Sequence, residues 1–365
     1  MQDKNNKLIV IVMATLVSAI SLACIFKPVD KYSDAERRQL ATFPSLSINS
    51  ILKTSYMKDF EDAALDQFIF RDKFRALKSF SELFIFNKED VNKLYFKDGY
   101  ISKLEYPMNL KDLDYATNKF QQINNKYLSD GKHNLYFSII PDKNYFLAND
   151  KLKLDYEEFI NHAINNLSNM QYIDIKDVLS LDDYYYSDTH WRQEKLVKVA
   201  KIFANDLNIN INEDYEEVLV SDDFKGVFVG QIALDLAKDK LIYLDHPDFK
   251  DYVVSRNDGR GDKIIPLYNL DKVNDKDPYE MFVGGNSSII NIENPHADND
   301  RELIIFRDSF TASLVPLIAS GYAKTTLIDI RYINSALLED YVEFNDQDVL
   351  FLYSTLLLNN SKALK

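Results

Sequence analysis

Leu303-Ile304-Ile305-Phe306-Arg307-Asp308-Ser309-Phe310 opens as a short apolar run and ends in charge. The residues that follow, Thr311 to Ser320, carry an apolar helical pattern. Four apolar residues are too few for a helix, so the segment reads as a buried strand, a sharp turn and a helix start. Ser309 then falls at a helix N-terminus, where unpaired backbone N–H groups and the dipole favour a developing oxyanion. Alone, the residue reads equally as a plain helix-capping serine, the commoner use of that side chain.

Working outward, the same grammar repeats. Leu135–Ile140 is an apolar run ended by Pro141, and Tyr172–Ile175, Thr325–Ile330 and Val349–Tyr353 are similar. Helical patterns lie between them at Ala116–Tyr127, Tyr156–Met170 and Arg192–Leu207. Strands separated by helices predict an α/β fold with three layers, α/β/α, around a mainly parallel sheet. Residues 93–365 are expected to form this domain, with an irregular insertion over about 208–300 that contains turn clusters such as Asn257-Asp258-Gly259. Residues 27–92 read as a short helical arm, helical from about Ser33 to Asp90, with Ile51, Met57, Phe60, Ala64, Phe68 and Phe70 near one face.

A second segment carries chemistry. In Tyr184-Tyr185-Tyr186-Ser187-Asp188-Thr189-His190-Trp191, Asp188 and His190 stand two apart. On extended backbone both side chains point the same way, so a carboxylate can hold one imidazole nitrogen and leave the other free to take a proton. That is the arrangement a serine nucleophile requires. A structural histidine beside a capping aspartate is the plainer reading of the segment by itself. None of the other four histidines, His133, His162, His246 and His296, has an aspartate two residues before it. No His-x-x-His spacing points to a metal, and no cofactor motif is found.

Taken together and in order, these segments resemble a family, the DHHW and alginate O-acetylation proteins. Asp188-Thr189-His190-Trp191 is similar to its D-x-H-W signature, with Thr189 where the strict DHHW form has His. Arg307-Asp308-Ser309-Phe310 resembles its nucleophile block, Asp329-Ile330-Arg331-Tyr332 the D-x-R-Y after it, and Gly284-Gly285-Asn286 the G-G-N before it. Ser33-Asp34-Ala35-Glu36-Arg37-Arg38, Phe43-Pro44, Phe70-Arg71-Asp72, Lys97-Asp98-Gly99-Tyr100 and Pro141-Asp142-Lys143 are similar to further blocks of the family. The resemblance implies an SGNH-hydrolase-like fold in which Ser309 is the nucleophile, His190 the base and then acid, and Asp188 the residue that orients it. It also implies an acetyl group received from a membrane-bound O-acyltransferase and passed to a polysaccharide hydroxyl. The Ser309 N–H is the first candidate oxyanion donor. Asn286 and Arg331 are further candidates as oxyanion donors or substrate ligands, against a buried turn Asn and a salt-bridged Arg. Trp191 and the Tyr184–Tyr186 run either pack under the sheet or face sugar, with packing favoured for most of the tyrosines.

The N-terminus places this chemistry relative to a membrane. Leu8 to Phe26 is free of charge over 19 residues, about 28 Å as a helix and near the thickness of a bilayer core. Lys4 and Lys7 before it favour an N-terminus inside and the bulk of the chain outside. The segment (residues 1–26) is expected to be an uncleaved anchor; a signal peptide cut after Ser21-Leu22-Ala23, or a lipidated Cys24, gives the same extracytoplasmic address. Cys24 is the only cysteine, so the rest of the chain forms no disulfide. The net charge of −14, with no basic stripe, excludes a phosphate-backbone partner such as nucleic acid. Three functions are carried forward: O-acetyl transfer onto an exopolysaccharide or cell-wall glycan, carbohydrate O-acetyl esterase activity with the same triad, and a non-catalytic scaffold for polysaccharide synthesis or export.

Overall fold

The structure is a computed structural model that describes residues 2–48, 55–148, 152–259 and 261–365. The chain divides into two compact units, Met1–Asn92 with Val229–Asp235, and Lys93–Phe228 with Leu236–Lys365.

The first unit begins with helix α1, Gln2–Phe26. Its stretch Asn6–Phe26 is long and apolar enough to cross a membrane, and none of that window is buried. A two-residue antiparallel pair, Tyr32–Ser33 with Arg38–Gln39, follows, then helices α2 (Tyr56–Asp66) and α3 (Arg71–Phe80). The expected helix from Ser33 is therefore corrected: no helix forms over residues 33–47. Side-chain ties take its place. Asp66 accepts from Arg38 Nη2 at 2.6 Å and from the Ala41 N–H at 2.9 Å, pinning that strand-like stretch to the end of α2. The Arg38 hydrogen bond holds the Asp66 carboxyl down at about 2. The expected helical face is broken by Phe70, whose φ of 56° lies in the left-handed region between α2 and α3; Ile51 lies outside the described residues.

The second unit is built on an eight-stranded sheet. In chain order its strands are β1 (Asn134–Ile140), β2 (Gln171–Tyr172), β3 (Val253–Asn257), β4 (Asp262–Ile265), β5 (Ile289–Glu293), β6 (Glu302–Arg307), β7 (Lys324–Ile328) and β8 (Asp348–Ser354). The spatial order is β4-β3-β5-β7-β6-β8-β1-β2. The five strands from β7 to β2 are parallel, and β5, β3 and β4 extend the sheet antiparallel.

Period-two alternation sorts the side chains. Leu303 and Ile305 of β6 pack with Val199 and Phe203 of the helix Val197–Leu207 and with Leu314 and Ile318 of the helix Thr311–Ala319. Ile304 and Phe306 pack on the other face with Phe120 of Leu110–Ile123 and Phe159 of Tyr156–Asn166. This is the three-layer α/β/α architecture that the strand–helix alternation predicts. A strand with helices on both sides reads as a continuous apolar run, which is why residues 303–306 carry no polar alternation.

Two local readings change. Residues 208–300 are more regular than their turn clusters indicate, because they supply β3, β4 and β5. Each is only four or five residues long, and Asn257 and Asp262 pair across the ends of the turn cluster. The helix expected from Arg192 starts instead at Val197. Gln193, fully buried, spends its side chain on distant backbone, donating to the Ser313 carbonyl at 2.6 Å and accepting from the Leu244 N–H at 2.8 Å.

Candidate active site

The parallel strands run the same way, so their C-terminal ends form one edge, where open α/β sheets carry their ligand sites. Pro141-Asp142-Lys143 follows β1, Asp308-Ser309 follows β6, Asp329-Ile330-Arg331-Tyr332 follows β7, and Gly284-Gly285-Asn286 leads into antiparallel β5 at the same edge. Blocks far apart in sequence therefore share one edge of the sheet. Tyr332 donates to Asn286 Oδ1 at 3.0 Å, and Arg307 Nη2 donates to the Gly285 carbonyl at 3.1 Å.

Ser309 sits in the turn between β6 and its helix, half-buried. Asp308 shapes that turn. One carboxylate oxygen accepts from the Phe310 N–H at 3.0 Å and the other from the Ser354 N–H at 2.8 Å, so this residue ties the turn to the end of β8. The backbone N–H of Ser309 makes no hydrogen bond among the described residues, as its candidacy for the oxyanion requires.

The loop from Asp183 to Arg192 delivers the other two groups. An antiparallel bridge between Tyr184 and Trp191, with Tyr185 N–H donating to the His190 carbonyl at 3.1 Å, closes it. Within it Asp188 Oδ1 accepts from His190 Nδ1 at 2.6 Å, and Asp188 Oδ2 accepts from the Val227 N–H at 2.8 Å. His190 Nε2 lies 2.9 Å from Ser309 Oγ. With the Nδ1 proton donated to the aspartate in a hydrogen bond, Nε2 is left as the acceptor for the serine proton. The structure thus brings Ser309, His190 and Asp188 into one chain of hydrogen bonds across 119 residues of sequence.

Trp191 is corrected as a substrate candidate. It is fully buried, and its Nε1 donates to the Phe310 carbonyl at 2.8 Å, so it braces the turn that carries Ser309 from beneath. Tyr184 and Tyr185 are likewise fully buried, as the packing reading expects. Arg331 is held in a bidentate pair with Asp329, Nε to Oδ1 at 2.8 Å and Nη2 to Oδ2 at 2.5 Å. Asn286 is exposed, and its amide donates to Glu280 at 2.6 Å. Among the described residues neither hydrogen-bonds to Ser309 or His190.

Several supporting residues escape a reading of the sequence. Tyr279 stacks on the His190 ring, centroids 3.8 Å apart and planes within 4°, and anchors its hydroxyl on Ser313 Oγ at 2.9 Å. Phe310 closes the other side at 4.8 Å. Burial raises the Tyr279 phenol, which stays a neutral donor. Asp239 accepts from the Tyr186 and Ser187 N–H groups at 2.7 and 2.9 Å. Both belong to the 208–300 stretch, Tyr279 in the short 3₁₀ turn Pro278–Met281 and Asp239 at the start of the strand Asp239–Asp245, and neither position carries a local chemical motif.

Gly226 is needed for close approach. A Cβ there would stand 2.3 Å from the Asp188 Cβ and 2.4 Å from the Asp188 N. Gly226→Ala is expected to push Asp188 off His190, with about 1–3 kcal/mol lost from stability. Acylation by an activated ester should fall by more than that stability loss explains, and a variant acylating at the wild-type rate would contradict the placement.

Lys143 lies wholly buried under the loop, its Nζ donating to the Ile101 carbonyl at 2.6 Å and the Tyr185 carbonyl at 2.8 Å. Desolvation pushes its ammonium down to about 7, with Asp188, Asp239 and Asp142 pulling the other way. The unfolded chain, at the ordinary lysine value, binds the proton more tightly, so this group adds stability as pH rises from about 7 toward 10. The stability of wild type relative to Lys143→Met, from urea midpoints, is expected to increase between pH 6 and pH 9. A flat difference would mean the ammonium stays charged throughout.

No family model matches the chain, and no curated protein matches it. Solved structures do. A DHHW family protein from Eubacterium siraeum superposes with a TM-score of 0.58 at 20% identity, covering 75% of this chain and 95% of that one. Bacillus cereus PatB1, in a structure carrying a sulfonyl adduct, superposes at 0.60 with 18% identity over 73% of this chain and 95% of its own. PatB1 in a second structure gives 0.59 at 18% identity, over 73% and 96%. These neighbours match the family that the ordered motifs resemble, and the fold of this chain is the fold of a DHHW family protein and of PatB1.

Proposed function

We propose that the protein is an extracytoplasmic, membrane-anchored O-acetyltransferase that carries an acetyl group on Ser309 and passes it to hydroxyls of an exopolysaccharide or cell-wall glycan. One observation carries the reading: the Asp188–His190–Ser309 chain of hydrogen bonds, at 2.6 and 2.9 Å, on a turn whose Ser309 N–H makes no hydrogen bond among the described residues. Ser309 Oγ attacks the acyl carbonyl while His190 Nε2 takes its proton, and the imidazolium so formed is balanced by Asp188. Collapse of the tetrahedral intermediate breaks the bond to the donor, which leaves with the proton from His190. The sugar hydroxyl then repeats the sequence in reverse, giving its proton to His190 and restoring Ser309. The ordered motif resemblance supports acetyl as the group, glycan as the acceptor and a membrane-bound O-acyltransferase as the donor; the likeness to PatB1 supports the fold that holds them.

The test uses the full chain in detergent, given p-nitrophenyl acetate with and without a deacetylated glycan oligosaccharide. The expected result is an acetyl mass increase on Ser309 that is discharged faster by the oligosaccharide than by water. Discharge to water alone would make the protein an esterase, since the same triad serves both reactions and only acceptor binding separates them. Glycan acetylation with no label on Ser309 would reject the mechanism in favour of the scaffold. A sulfonyl fluoride, the reagent class that leaves sulfonyl adducts on activated serines, is expected to block labelling.

A further inference from the structure

Helix α3 is built inside out. Amphipathic helices of soluble proteins bury the apolar face and show water the polar one. Here the buried side is polar: Ser79 is 3% exposed, Arg71 reaches Glu36 and Asp66, and Arg75 Nη2 donates to the Gly230 and Gln231 carbonyls at 2.9 Å. The opposite face carries Phe70, Phe74, Leu77, Phe80 and Phe84, spaced three or four apart and 48–63% exposed. The stripe runs on through Ser81–Ile85, the wider-turned continuation of α3, to Ile85 and Phe86, 61% and 69% exposed. Together they make a continuous apolar ridge of about 22 Å, the kind of surface that soluble monomers rarely leave to water.

We propose that this face lies in the boundary between headgroups and acyl chains of a lipid bilayer, with the helix axis in the membrane plane. Three features select lipid as the occupant. The same compact unit contains Asn6–Phe26, apolar, unburied and of membrane-spanning length, so residues 27–69 tether the stripe to a bilayer and raise its effective concentration there. Exposed Lys73 stands on the stripe near its start, its Nζ 5.5 Å from the Phe70 ring centroid, and exposed Lys78 borders it. Cations beside aromatic and aliphatic side chains on a short amphipathic helix suit anionic headgroups above an apolar layer. The arginines, which a water-facing helix would turn outward, are committed inward by ion pairs and carbonyls, which fixes the apolar side outward. The proposal goes beyond the acetyl-transfer reading and rests only on α1 as a span.

The experiment reconstitutes the full chain, with Cys24→Ser, into vesicles of phosphatidylglycerol and phosphatidylethanolamine, with single nitroxide labels at cysteines replacing Phe74, Leu77, Phe84 or Lys88 in turn. At 74, 77 and 84, collisions with oxygen are expected to be severalfold more frequent, and with a water-soluble nickel chelate severalfold rarer, than at 88. Adding Phe74→Glu and Phe84→Glu should return the label at 77 to water while the chain still floats with the vesicles. A floating chain with all four labels in water overturns the proposal alone, and a chain that does not float overturns the span with it. Protection that appears only when a multispanning acyltransferase is co-reconstituted overturns it in favour of a protein partner.

Discussion

Ser309→Ala is expected to abolish the acetyl-enzyme and to lower transfer by about 10⁴–10⁶, the scale on which removing a nucleophile from a cooperating triad acts. The fold should barely notice. The only hydrogen bond that Ser309 Oγ makes among the described residues is to His190 Nε2, at 2.9 Å, and one such bond contributes about 0.5–1.5 kcal/mol. The turn itself is held by other groups: the two ties of Asp308 and the Trp191 Nε1 bond to the Phe310 carbonyl remain. Loss of activity should therefore come with an almost unchanged unfolding midpoint. Intact-protein mass after an activated ester reads the first, and urea unfolding reads the second. A Ser309→Ala protein that still gains one acetyl group at the wild-type rate would mean that the nucleophile lies elsewhere.

The second large effect is expected at Asp188. Its carboxylate accepts from the His190 Nδ1–H, the His190 backbone N–H and the Val227 N–H. In Asp188→Asn one oxygen becomes an NH₂ group, a donor that cannot accept from any of these. If the amide oxygen faces Val227, the NH₂ faces the imidazole and favours a proton on Nε2, which blocks the nitrogen that should receive the serine proton. If it turns the other way, the Val227 N–H is left without a partner, at about 1–3 kcal/mol. The expected outcome is a fall of about 10⁴ in acylation, the loss known for such a tautomer error in serine triads, with stability lower by the cost of one buried group. His190 Nδ1–H should disappear from the far-downfield proton spectrum. An asparagine variant within tenfold of wild type would remove Asp188 from the relay.

How these residues come together was only partly legible. The run 303–306 is apolar at every position because helices cover both faces of β6, so strand, layer and turn follow from composition and length. The two-residue spacing of Asp188 and His190 makes their pairing a local matter, readable from extended backbone alone. The arm misled for a related reason: its apolar residues fall at helical spacing, yet Phe70 in a left-handed conformation and the Arg38–Asp66 pair break it into separate pieces. Spacing records which side of a helix is apolar; it does not record that the polar side of α3 turns inward.

What the sequence by itself determined is the alternation of strands and helices, the apolar segment at the N-terminus, and the short local units Asp188–His190 and Asp308–Ser309, all set by interactions within a few residues. Only the tertiary structure decided that these units share a hydrogen bond, that Trp191 braces a turn instead of facing a ligand, and that Tyr279 stacks on His190. It also decided that Gly226 must lack a side chain and that Lys143 is wholly buried under the 183–192 loop. Each of these depends on contacts between segments tens to hundreds of residues apart. Such contacts are fixed by the packing of the sheet and its helices, and no local pattern of residue types encodes them.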